Sequence, residues 1–221
     1  MDATDEMANK TVSLRREAPL DESTRTLVGL LAFSALAAMT RLAKDGDQAP
    51  SPEFHIEHAR MSADAFREFQ HLENFAAAND FSLLDELAQF AGLFDELDAR
   101  TRPSNWWERS VKTYVSLGIF ADALSEINQR HQLFDDDHWS GDFGQGSWVR
   151  EHLAELTEND PQLASRLSLW SRRVAGETFG LLHATLFTYP ELALDPDTVD
   201  AVVALATKSH TERMAEVNLQ A

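Results

Sequence analysis

Beyond residue 20, apolar residues return every three to four positions along the chain, the period of helices that bury one face. In the first such segment, Asp21 or Ser23 can cap the start and Gly46 suits the end, and the stripe is Val28, Leu31, Ala35, Ala38 and Leu42. Ser51-Pro52-Glu53 joins a capping hydroxyl, a first-turn proline and an acid near the positive end of the helix dipole, so it opens a second helix running to about Ala77. The stripe of that helix is Met61, Ala65, Leu72 and Phe75, with Glu68 in its middle. Asp80 or Ser82 opens a shorter helix with Leu83, Leu87, Phe90, Phe94 and Leu97 inward, until Arg102-Pro103 interrupts it. Ser104 or Asn105 caps a further helix, from about Asn105 to Arg130, which carries Tyr114, Leu117, Ala121 and Leu124 on one face, beside Val111 and Phe120. Residues Phe134 to Gly146 combine three glycines with an acid run and read as the least helical part of the interior, with helix resuming near Ser147. Asp160-Pro161 starts a helix whose stripe is Leu163, Leu167, Trp170, Val174, Glu177, Leu181 and Ala184. Tyr189-Pro190 ends it, and Asp195-Pro196 starts a last helix with Val199, Val202, Val203, Leu205, Met214 and Val217.

No strand alternation and no repeat of 20–50 residues interrupts this pattern. The expectation is an all-α fold, a four-helix bundle core with additional helices, formed by residues 21–221 as one domain after a mobile tail over 1–20. The tail lacks the basic-then-apolar order of a secretory signal. The longest apolar run, Leu27 to Met39, is 13 residues and contains Ser34. A membrane span needs about 20, so this run reads as a core helix.

Charge and cysteine content narrow the function classes. Lys+Arg 19 against Asp+Glu 37 gives a formal charge of −18, a field that repels phosphate backbones and makes nucleic acid a disfavoured partner. The absence of cysteine excludes disulfides, thiolate nucleophiles and iron–sulfur clusters and accords with a reducing, cytoplasmic setting. The glycine-rich segment lacks the lysine of a phosphate-binding loop, and no serine sits in a nucleophile-elbow context.

Two carboxylates fall on predicted core faces, Glu68 and Glu177, and Glu68-x-x-His71 has the spacing by which one helix offers an acid and an imidazole to the same metal. The plainer reading is that both acids accept hydrogen bonds from a buried Arg, Tyr or Trp and that His71 lies at the stripe's edge. His55 and His58 share the three-residue spacing, which recurs by chance on any helix. Asp135-Asp136-Asp137 lacks the pattern of a calcium loop. Trp106 and Trp107 suit either a partner-binding patch or the core, and Arg172-Arg173 is a pair rather than a nucleic-acid stripe.

Leu27-V-G-L-L-A-F-S-A-L-A-A-M-T-R-L-A-K-D45, Asn105-W-W-E-R-S-V-K-T-Y-V-S-L-G-I-F-A-D122, Arg166-L-S-L-W-S-R-R-V-A-G-E177 and His210-T-E-R-M214 together resemble the actinobacterial ferritin-like proteins grouped with the tRNA hydroxylase MiaE. The resemblance implies a ferritin-like bundle and, in the family archetype, a non-haem di-iron centre that acts on a modified adenosine. It places the six ligand positions at Ala35, Ala65, Glu68, Leu117, Asp142 and Gln145. Only Glu68 and Asp142 there could bind iron, since alanine and leucine ligate nothing and glutamine is a weak neutral donor. The expectation is therefore a degenerate di-iron site, no catalytic residues, no cofactor, and a scaffold or interaction role with a protein partner or a second copy of the chain. The alternative is an iron-dependent hydroxylase with a site shifted to Glu68, His71 and Glu177.

Overall fold

The computed structural model describes residues 20–134, 141–193 and 195–221. The expected tail, apart from Leu20, and the acid run Asp135–Asp137 lie outside the described residues. Among those described, the regular structure is wholly helical: α1 (Glu22–Asp47), α2 (Pro52–Ala78), α3 (Leu83–Ala88), α4 (Asp95–Arg100), α5 (Trp106–His131), α6 (Gln145–Asn159), α7 (Pro161–Thr188), a 3-10 turn (Pro190–Leu192) and α8 (Pro196–Glu216).

The helix starts follow the capping chemistry in the sequence. Side-chain oxygens of Asp21, Ser51, Ser82, Asn105, Asp160 and Asp195 accept from backbone N–H groups two or three residues on, each satisfying a donor that the helix itself cannot pair. Prolines in the first turns of α2, α7 and α8 cost nothing, because those N–H groups are orphans.

Four long helices, α1, α2, α5 and α7, supply most of the core. The α1–α2 pair is antiparallel: Gly46 approaches His55 and His58, while further along Ser62 donates to the Met39 carbonyl at 2.8 Å. Against α5 lie α1, α7 and α8, and α6 rests on α5 and α7. By length and composition α1 could cross a membrane, yet its Leu27, Val28, Leu30, Leu31, Ala35 and Leu42 are buried inside the bundle.

Four expectations are corrected. The helix expected to run on from Ser82 breaks into α3 and α4, because Gly92 adopts φ +80° and turns the chain between them; Phe90 and Leu97 are buried, Leu87 and Phe94 only partly. Helix α6 begins at Gln145, two residues early: the Asp142 carboxylate accepts from Gly144 N and Gly146 N at 3.0 and 3.2 Å and organises the glycines that made this segment look unhelical. On α7 the buried face is rotated by about one residue, to Leu167, Ser171, Val174, Ala175, Thr178, Leu182 and Thr185, leaving Leu163, Trp170 and Leu181 half-buried and Ala184 exposed. Hydroxyls can line this face because they satisfy themselves: Thr178 donates to the Val174 carbonyl at 2.8 Å and Thr185 to Leu181 at 2.9 Å. On α8, Leu205 is likewise exposed.

Glycine permits one especially close approach. A Cβ on Gly29 of α1 would lie 2.7 Å from the Glu86 carbonyl of α3, whereas one on Gly176 of α7 would meet nothing within 4 Å. Gly29→Ala should therefore destabilise by roughly 1–3 kcal/mol through forced separation of two backbones, while Gly176→Ala, in an exposed helix interior, should stabilise by about 0.5–1 kcal/mol. Urea unfolding of the two variants checks this, and effects of the same sign would contradict it.

Candidate functional site

Ala35 and Ala65, at the heart of α1 and α2, are both 0% exposed within one apolar cluster. Leu117 is half-buried rather than central to the core as its stripe predicted, and lines a small cavity with Ala38, Phe94 and Phe120. Glu68 does lie along the buried stripe of α2, its side chain 17% exposed, with His71 Nδ1 at 3.5 Å. His71 itself is 69% exposed and stands outside the bundle. Glu177, beside rather than on the buried face of α7, is 33% exposed and accepts from Arg100 at 3.4 Å. Glu177 thus meets an arginine, not Glu68 and His71, and among the described residues no group of three or more His, Asp or Glu side chains is placed to hold a metal.

Asp142 and Gln145 do meet, at a small polar cavity of about 220 Å³ that they line with Tyr114, Gly118, Asp122 and Arg213. Both make structural bonds there. Asp142 caps α6, and the buried Gln145 amide donates to the Ser110 carbonyl at 3.3 Å. Across the cavity, Arg213 ion-pairs with Asp122 and packs into the notch left by Gly118, and the Tyr114 hydroxyl donates to the Arg213 carbonyl at 3.0 Å. Burial pushes the Asp122 carboxyl up against the opposing pull of Arg213.

A buried histidine is the residue that spacing undervalued. His58 lies fully inside, its ring 4.6 Å from Trp148 and 5.2 Å from Trp106, both edge-on, and its Nδ1 is 2.8 Å from the Phe54 carbonyl. Burial holds it below the ordinary imidazole value despite the Phe54 carbonyl and Asp45. The signal was available: His58 precedes Met61 by three and Ala65 by seven residues, on the same stripe. Trp106 and Trp107, half-buried, pack into this aromatic cluster, which resolves their two readings toward the core.

A cavity of about 380 Å³ opens between α1, the α3–α4 segment and α5. Phe33, Leu36, Leu87, Phe94 and Pro103 form its apolar walls, and Arg41, Lys44, Arg109, Lys112, Asp45, Asp95 and Asp98 also line it. Asp45 is buried, accepting from Thr113 Oγ1 at 2.5 Å and Arg109 at 3.3 Å; burial pushes its carboxyl up in spite of both. Asp98 receives Arg41 at 2.6 Å and Lys112 at 2.7 Å, and these cations outweigh its burial and hold it below the usual carboxylate range. No sequence motif announced this cluster, because its members come from three helices and each looks like a surface charge.

The helices and their packing define an all-α bundle of the ferritin-like class. A family model for the ferritin-like domain of actinomycetes matches residues 19–183, most of the chain, and the protein belongs to that family. No curated protein matches it. Helix α8, with Arg213 and His210, lies beyond the matched residues.

A di-iron centre of the kind the resemblance implies does not fit these residues. Two of its six positions are methyl groups sealed in the core, a third is Leu117, Gln145 is a neutral amide that donates to Ser110 of α5, and Asp142 holds the start of α6. Only Glu68 and Asp142 carry charged oxygens at those positions and no imidazole stands there, short of the shared carboxylates and one imidazole per iron that such a centre needs.

His210, buried on α8 with Phe179 edge-on at 6.0 Å, is held down to about 4 by burial and by Arg213. Its neutral form is the one the fold accommodates, so its contribution is complete above the unfolded value near 6.5 and is lost as pH falls through about 4. The loss amounts to about 3 kcal/mol. His210→Phe should flatten the acid limb of a stability-versus-pH curve by that order, measured by urea unfolding between pH 7 and 4; parallel curves for parent and variant would contradict it.

Proposed function

We propose that this chain is a non-catalytic ferritin-like protein, a scaffold or interaction module, in which apolar packing stands where a di-iron centre would. The observation that carries this reading is the pair Ala35 and Ala65, both 0% exposed, on the two helices that would have to supply the first acids. We place it beside the MiaE-like proteins on the segments quoted above, with a degenerate site and without their chemistry. Its charge of −18 argues against tRNA as a substrate, and the reading takes a protein partner, in the cytoplasm, as the object of the interaction.

Elemental analysis of protein from iron-replete cells tests the proposal. Iron well below one atom per chain is expected; two irons per chain with the absorption of an oxo-bridged pair would overturn it. A variant carrying Ala35→Glu, Ala65→Glu, Glu68→His, Leu117→Asp and Gln145→His should gain iron affinity that the parent lacks. Without metal it should be strongly destabilised, because its new carboxylates are buried and unpaired.

A further inference from the structure

We infer that the cleft between α1, the α3–α4 segment and α5 is a binding site for a small amphipathic carboxylate, with its charged end at Lys112 and Arg41 and its apolar body against Phe33, Leu36, Leu87 and Phe94. The charge balance of the lining is the first argument. Across the chain acids outnumber Lys and Arg 37 to 19, yet around the cleft four cations face three acids. That reversal in one concave place makes it the part of an acidic protein where an anion is attracted rather than repelled.

The second argument is local. Arg41 and Lys112 both converge on the same oxygen of Asp98, Oδ1, so one carboxylate serves two cations and the triad keeps an excess positive charge. The Lys112 side chain is only 9% exposed, so its charge depends on close partners, and of its three ammonium donors one meets Asp98. A ligand carboxylate would balance the triad and take up remaining donors. Asp45 and Arg109 already neutralise each other deeper in the wall. Lys44, at the end of α1, is exposed and engaged in no ion pair among the described residues, and it stands at the rim.

The walls and volume set the ligand's other end. Phe33 and Phe94 stack at 5.9 Å and present a flat apolar surface, with the Arg41 guanidinium 5.8 Å from the Phe94 ring. A cavity of about 380 Å³ lies within the range of small-molecule pockets and below that needed for a folded partner. Aromatic and aliphatic walls with convergent charge at one end select a ligand that is apolar at one end and anionic at the other.

This inference deepens the non-catalytic reading by giving the module a ligand, and its test is independent of iron content. Calorimetric titration of the full chain with octanoate should show saturable one-to-one binding, with octylamine at least about tenfold weaker. Lys112→Met should weaken octanoate by about tenfold or more while the fold persists, because Asp98 keeps Arg41. Thr40→Trp, at an exposed position lining the cleft, should abolish binding by filling it, and it decides the matter if the lysine variant does not fold. Absent octanoate binding, equal affinity for octylamine, or undiminished binding by Thr40→Trp would overturn the site. Iron found in the same preparation would overturn the metal-free reading alone.

Discussion

The close approach of α1 to its neighbours is the constraint on which the rest of the structure depends. Small residues make it possible: Ala35 and Ala38 face the interior of the bundle, Gly46 lets α2 come so near that a Cβ there would stand 3.1 Å from the Cβ of His58, and Gly29 admits the backbone of α3. Helices joined by small side chains gain dispersion contacts over their length and leave little free volume between them. In the function proposed above, packing of this kind fills the interior where ligation of iron would, with Ala35 and Ala65 standing where the first acids would be.

Polar groups enter the interior under strict conditions, and they locate the chemistry. On α7 the hydroxyls of Ser168, Ser171, Thr178 and Thr185 are buried but bond to carbonyls of their own helix, so they add no demand for a partner. Charged groups behave otherwise. Asp45 requires Thr113 and Arg109, and Asp122 requires Arg213 from a helix beyond the family-matched region. Where Lys112 and Arg41 share one aspartate, Asp98, the fold also leaves a cavity of about 380 Å³.

The bundle was legible in the sequence because caps and apolar period are local. Asp21, Ser51, Asn105, Asp160 and Asp195 cap the helices assigned to them, and the stripes of α1 and α2 are buried almost as written. The face of α7 was misread by one position because serine and threonine count as polar in a periodicity argument, although in a helix they can hide their hydrogen bonds. Glu177 followed that error to the margin, where Arg100 holds it. The site was less legible still. The cleft is assembled from α1, α4 and α5, whose charges are far apart in the chain, and period alone cannot tell a surface lysine from one buried against an aspartate.

If apolar packing has replaced ligation, the fold must owe nothing to metal. A ligand that binds only the folded state raises the unfolding midpoint by an amount that grows with the logarithm of its concentration over its dissociation constant, and structural metal sites commonly contribute many kilocalories per mole. The direct measurement is thermal unfolding of the protein with ferrous iron under anaerobic conditions, set against the same protein with chelator. The account predicts coincident midpoints. A midpoint raised by iron, and returned by chelation, would contradict it.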